Sequence, residues 1–296
     1  MTQLPDLKNK PYGGAWSIHD ATIKAWFYNS QRYFPTVDVA QFLQDYYAWI
    51  QQGNTIEGIE DYQCLAYSNG TTEAFDKFYQ KHTGKRLRLW RGEYFYHQIQ
   101  QRELFKDFAW IDQGSIAPGD VVVVSMPFSD TGNVPIDYDH VMQQCVANDV
   151  PVLIDMAYVS LTKNCTYDIS YSCIETVATS LSKVFPVEHM RIGMRMNRTS
   201  TDDTLDAYTN NHTPYVNTVG VDVGHRLIAQ YEQNWVYNKW QYSQQEMCRQ
   251  LDVLASDCVI FGIDTHNRWG EYNRGGATNR LCFSRHWDGR LDNLPK

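Results

Sequence analysis

The chain has 296 residues and a formal net charge of −8, with no Lys/Arg run, so it lacks the electrostatic footprint of a nucleic-acid-binding protein. Hydrophobic residues make up 43%, enough to bury a large core in one big domain or in one big and one small. No apolar run approaches the roughly 18–20 residues that span a bilayer, and the opening MTQLPDLKNKPYGG lacks the apolar core of a signal peptide; the expectation is a cytoplasmic protein with no membrane partner.

In chain order, residues 72–82 read as a helix with Thr71 or Thr72 as N-cap and Gly84 just past its end. The turn Ala117-Pro-Gly-Asp introduces the clearest strand, VVVVS at 121–125. A helical pattern at 137–148 separates it from a second strand, PVLID at 151–155. Two more strands follow, at 175–180 and 191–196. Residues 219–256 carry one long amphipathic helical pattern, and short strand-like pieces follow at 258–263 and 280–284. Apolar strands alternating with helices predict an α/β fold: a three-layer domain whose central, mostly parallel sheet is covered on both faces. That large domain is placed at 30–215, and a reduced small α+β domain combines the N-terminal arm, 1–29, with 216–296.

The seven cysteines are scattered, with no CxxC pair and no zinc-ligand spacing, so they read as small buried apolar residues and no metal site is expected.

Four segments carry chemistry. In Ser68-Asn-Gly-Thr-Thr-Glu-Ala74 a glycine and hydroxyl residues open a helix, which presents free N–H groups suited to phosphate; an ordinary capped helix has the same pattern. At Asp155-Met-Ala-Tyr158 an apolar strand runs into an aspartate, at the strand end where doubly wound sheets bind ligands. That aspartate is either a partner for a cationic ring nitrogen or a helix cap. Lys183 closes Thr179-Ser-Leu-Ser-Lys183 at another strand end; desolvated there it is a usable amine nucleophile, and otherwise it is a solvated lysine. Arg191, eight residues on, offers a fork for a phosphate or for a surface carboxylate.

Read in order, YSNGTTEAF, SMPFSDTGNVP, VLIDMAYVSL, TSLSKVF and HMRIGMRM resemble the class I/II aminotransferases, pyridoxal-phosphate enzymes of the aspartate-aminotransferase fold (fold type I). The family's segments run SxGxTEA, NPxNPTG, DxxY, SxSK and RxG, and the resemblance covers about residues 31–196. It implies pyridoxal 5'-phosphate as cofactor. Lys183 would be the Schiff-base lysine and proton shuttle, Asp155 the partner of the pyridine nitrogen, and Tyr158 a hydrogen-bond donor to the phenolic ring oxygen. Gly70, Thr71, Thr72, Ser180 and Arg191 would form the phosphate site. Tyr94 would stack on the ring, with Trp90 and Phe95 as other occupants of that place. Tyr33, in RYFP, resembles a residue that reaches the phosphate of the other subunit, which implies a homodimer. Arg280, in NRLCFS, resembles the arginine that grips the substrate α-carboxylate, although a structural arginine at a strand start reads the same way. Two departures stand out. Ser129 occupies the place of the family's asparagine at the ring oxygen, and the chain is shorter than typical members, mostly in the small domain.

The activity implied is a ping-pong aminotransferase that moves an amino group between an amino acid and a 2-oxo acid. The same scaffold also supports decarboxylases, lyases and synthases, and a non-catalytic cofactor-binding module is the remaining alternative.

Overall fold

A computed structural model describes residues 13–15, 17–28, 36–105, 107–211 and 214–287. Helices α1 (Ala21–Tyr28) and α2 (Val39–Trp49) come first. Strand β1 (Thr55–Glu57) pairs in parallel with the later β7 (Thr166–Asp168) as a separate ribbon. The central sheet has seven strands: β2 (Cys64–Asn69), β3 (Arg86–Leu89), β4 (Asp107–Trp110), β5 (Asp120–Ser125), β6 (Val152–Asp155), β8 (Ile174–Ser180) and β9 (Ile192–Asn197). Their order is β2-β9-β8-β6-β5-β3-β4, and β9 alone runs against its neighbours. This is the mostly parallel α/β sheet expected.

Every residue of β5, β6 and β9 is buried, the signature of strands covered on both faces. Alternate residues of β5 enter different cores. Val121 and Val123 meet Phe75, Phe78 and Tyr79 of α3 (Thr71–Lys81), whereas Val122 and Val124 join Val141 and Met142 of α5 (Tyr138–Ala147). α4 (Phe95–Glu103) lies next to β3, and α6 (Thr204–Thr209) next to β2. A second, antiparallel sheet of β10 (Leu254–Ala255), β11 (Phe261–Asp264) and β12 (Asn279–Cys282) follows, and the short α9 (Ser284–Trp287) continues from it.

The single long helix expected over 219–256 is two, α7 (Thr218–Gln230) and α8 (Trp235–Leu251). No proline or glycine marks the break. Tyr231 turns extended, at φ −122° and ψ 131°, and its carbonyl accepts the Trp49 indole N–H at 2.7 Å. The fully buried Gln233 ties the link to the Val159 carbonyl at 2.8 Å. Tertiary bonds therefore override a pattern that stays amphipathic throughout. α8 stops at Asp252, whose φ is 54°, and the next residues belong to β10. Strand β3 reads RLRL and escapes a hydrophobicity reading, because Arg88 is fully buried. Its guanidinium bonds Asp120 at 3.0 Å and the carbonyls of Trp110 and Gly114. Burial pushes the Asp120 carboxyl up, but Arg86, the Ala117 N–H and Arg88 hold it below its ordinary range.

Among the described residues, no helix is long and apolar enough to cross a membrane. Leu153, wholly buried in β6 against the α3 side of the sheet, tests this packing: Leu153→Ala is expected to cost about 2–5 kcal/mol, read as a lower urea midpoint at unchanged slope.

Candidate active site

The carboxyl ends of β2, β5, β6 and β8 and the start of β9 share one edge of the sheet. Register places Ser125 beside Asp155, Asp155 beside Ala178, and Ser180 and Ser68 on either side of Gly193. Side chains that are far apart in sequence therefore converge where the strands end. A cavity of about 50 Å³ lies there, lined by Thr71, Thr72, Tyr94, Asp155, Ala157, Tyr158, Ser182, Lys183 and Arg191.

One wall is built for an anion. Gly70 precedes α3 at a φ of 72°, and a Cβ on it would run into the Arg191 guanidinium, so only glycine fits both the backbone and the neighbour. Arg191, itself left-handed at φ 54°, donates from Nη2 to Thr72 Oγ1 at 2.7 Å. The guanidinium thus lies across the first turn of α3, whose N–H groups have no intrahelical acceptor and carry the positive end of the helix dipole. Ser180 Oγ donates to the Ile192 carbonyl at 3.0 Å and bonds Ser182 Oγ at 2.8 Å, and of these two serines it is Ser182 that lines the cavity.

The opposite wall is a buried carboxylate. Asp155 Oδ1 accepts the Ala157 N–H at 3.0 Å, and Oδ2 lies 4.0 Å from His97 Nε2. Burial, with the charge of Glu93 behind it, pushes the Asp155 carboxyl up to about 7 against the pull of the Ala157 N–H and Lys183. His97 sits fully buried between Phe75 and Tyr94, with ring centroids 4.7 and 5.6 Å away. Its Nδ1 bonds the Tyr79 hydroxyl, and its Nε2 has no hydrogen-bond partner among the described residues. Burial drops its pKa to about 3, so it is neutral and gives Asp155 no counter-charge. Lys183 Nζ donates to the Ala15 carbonyl at 3.0 Å and lies 6.0 Å from the centroid of the Tyr158 ring; burial lowers its pKa.

Ser129 does not line this cavity and is held by its neighbours. Its N–H donates to Ser125 Oγ at 2.7 Å, and the Ser125 hydroxyl in turn donates to Glu93. Its carbonyl accepts from both Arg280 and Arg274. Arg280 is buried, stacks 4.4 Å from the Phe261 ring centroid, and reaches the Gly13 carbonyl at 3.4 Å. The structure therefore gathers Thr71, Thr72, Tyr94, Asp155, Tyr158, Lys183 and Arg191 around one void, with Gly70 and Ser180 behind it and Ser129 with Arg280 alongside. Trp90 and Phe95 do not line it, and Tyr33 lies outside the described residues. Glu93, His97, Ser182 and Arg274 were not singled out by the sequence; RGEYFYH holds the first two, but only tertiary contacts reveal them. Among the described residues there is no cluster suited to a metal ion.

No protein-family model and no curated protein matches this sequence; solved structures do match in shape. An aromatic aminotransferase from Pyrococcus horikoshii OT3 superposes with a TM-score of 0.68 at 12% identity, covering 95% of this chain and 92% of that one. The chain has the fold of the class I/II aminotransferases. The histidinol-phosphate aminotransferase of Clostridium acetobutylicum shares this fold with a TM-score of 0.60 at 13% identity, over 96% of this chain and 99% of that one. A PLP-bound C-S lyase from Staphylococcus hominis shares it at a TM-score of 0.63 and 10% identity, over 92% of this chain and 81% of that one.

The raised Asp155 carboxyl has a thermodynamic signature. The folded chain keeps a proton there up to about pH 7, whereas an unfolded aspartate releases it near pH 3.9. Between those values the native state binds more protons, so stability falls as pH rises. Asp155→Asn, without added ligand, is expected to match the wild-type melting temperature near pH 4 and to exceed it at pH 7.5.

Proposed function

We propose that this protein holds pyridoxal 5'-phosphate at this cavity through Lys183 and acts as an aminotransferase between an amino acid and a 2-oxo acid. One observation carries the reading: a desolvated lysine, a buried aspartate without a cationic partner and an arginine laid across a helix start line the same void. An aldehyde, a protonated ring nitrogen and a phosphate are the groups that this donor set fits. Lys183 Nζ is held by the Ala15 carbonyl, so joining the cofactor to Lys183 requires that contact to give way.

Bound there, pyridoxal phosphate would supply an electron sink for a bond at the substrate α-carbon. Lys183, whose burial disfavours the ammonium form, is the nucleophile and the base that takes and returns the α-proton. The Asp155 carboxylate holds a proton on the ring nitrogen by contact with opposite charge. Arg191, Gly70 and the hydroxyls of Thr71 and Thr72 hold the phosphate, with Ser180 orienting Ser182. Tyr94 would pack on the ring, Tyr158 would bond its phenolic oxygen, and the resemblance gives Ser129 the second place at that oxygen. Arg280 exchanges its long contact to Gly13 for the bidentate grip of an α-carboxylate. On this reading residues of the large domain, about 30–215, hold the cofactor, and the small domain supplies Arg280.

The test is direct. Purified protein with added pyridoxal phosphate is expected to gain a visible absorbance band, and borohydride followed by peptide mapping to fix the label on Lys183. Lys183→Ala is expected to lose the band and all turnover and to keep its fold by circular dichroism; a labelled, active Lys183→Ala sinks the reading. One neighbour of this fold is a C-S lyase, so the product assay decides the reaction: amino acids are to yield the matching oxo acid, with neither sulfide nor carbon dioxide released.

A homodimer with shared active sites belongs to the same reading. Phe95, next to the cavity residue Tyr94, is 65% exposed, an apolar side chain suited to a covered interface. Sedimentation is expected to give a dimer, and a fully active monomer would remove this part of the reading.

A further inference from the structure

Ser129 stands where the resemblance places an asparagine at the ring oxygen, and serine is shorter. The structure brings a second group to Ser129. Arg274 Nη1 lies 2.6 Å from the Ser129 carbonyl and 3.0 Å from Ser129 Oγ. It arrives from the turn before β12, where Gly275 has a φ of 96°, and where a Cβ on Gly276 would run into the Asp130 carboxylate. The turn is thus pressed onto the 129–130 segment more closely than any other residue type would allow. Among the described residues, Arg274 makes hydrogen bonds only through Nη1, and only to Ser129. Its other nitrogens are spare donors in a fork of five N–H groups. The charged and titratable groups facing it are Tyr158, Asp130, Glu93 and Arg280. Arg280 lies 4.4 Å from the Phe261 ring centroid, that ring lies 5.3 Å from the Tyr158 ring, and Arg274 shares the Ser129 carbonyl with Arg280, so both cations lie on the Tyr158 side of the cavity. Asp130 is a carboxylate facing both arginines, and burial pushes it up to about 6 against their pull.

We infer that Arg274, through the fork it places beside Ser129, is the cationic donor to the phenolic oxygen of the bound pyridoxal phosphate, in the place of a neutral asparagine. This rests on the proposed cofactor reading and adds to it. A fixed cation beside an ionisable oxygen favours its ionised form and lowers its pH midpoint, whereas an amide donates without a charge. Asn and Arg are therefore distinguishable at this position.

The experiment compares wild type, R274Q, R274K and the double variant R274Q/S129N, each titrated with pyridoxal phosphate. Affinity and the pH midpoint of the visible absorbance are read, with ligand-free melting temperatures as the fold control. R274Q is expected to raise the midpoint by about one unit or more and to weaken binding about tenfold. R274K should keep the low midpoint, and R274Q/S129N should recover affinity but not the midpoint. A folded R274Q with the wild-type midpoint overturns the inference, including the case where only its response to amino acids weakens, which assigns Arg274 to the substrate. Should R274Q fail to fold, R274K decides: a retained midpoint with weakened cofactor affinity supports the fork, and wild-type affinity overturns it. A wild-type protein that gains no visible band overturns the cofactor reading itself, and the inference with it.

Discussion

Everything at this site is arranged around one buried carboxylate without a matching cation. Asp155 ends the middle strand of a sheet covered on both faces, where an ionised carboxyl is expensive unless hydrogen bonds and opposite charge compensate it. It receives one backbone N–H. The ionisable groups facing it are Glu93, a second buried acid that opposes its charge, Lys183, whose ammonium form burial disfavours, and His97, which burial keeps neutral. A fold that leaves an acid in this state has placed strain where a cationic ligand relieves it, and the surrounding groups follow from that placement.

The two acids are not equivalent. Glu93 accepts from the Ser125 N–H and hydroxyl and from the Tyr94 N–H at 2.6 Å, so its lone pairs are largely satisfied within the protein. The same Ser125 hydroxyl receives the Ser129 N–H, and the Ser129 carbonyl receives two guanidinium groups. A continuous chain of hydrogen bonds therefore runs from the acid beneath the cavity to the arginines beside it, and it fixes the loop after β5. Asp155 is left outside that network, with Oδ2 turned to a histidine nitrogen at 4.0 Å. One acid is structural and the other is available.

Strands rich in apolar residues were legible in the sequence, because a sheet covered on both faces needs them: β5 and β6 as near-continuous runs, and β8 and β9 in spite of Glu175 and Arg195, all begin and end within a residue or so of the pattern. β2 and β3 were not, because CLAYSN and RLRL mix polar residues into buried positions and Arg88 is neutralised only by a partner more than thirty residues away. The α7–α8 break was hidden for a similar reason, since the bonds that cause it come from Trp49 and Val159. At the site, Asp155, Lys183 and Arg191 could be found because each sits at a strand end that the pattern locates. His97, Glu93 and Arg274 could not, because ordinary-looking segments carry them and only the folded chain brings them within reach.

The Gly13–Ala15 backbone takes up the same two cations that a bound substrate and cofactor would use: the Ala15 carbonyl holds Lys183, and the Gly13 carbonyl holds Arg280. A ligand joined to Lys183 displaces its contact to Ala15, whereas Arg280 keeps Nε without a partner among the described residues beside its long contact to Gly13. The docking free energy of this segment is therefore subtracted from the intrinsic affinity of a ligand that engages Lys183. Further along, Ser17 and His19 fasten the segment to Glu188 at 2.7 and 2.8 Å, and Asp20 pairs with Lys239. Substitutions at these outlying anchors, none of which lines the cavity, would thus act as remote controls on occupancy: loosening the fastening tightens binding, and reinforcing it weakens binding, with no change to the groups that do the chemistry.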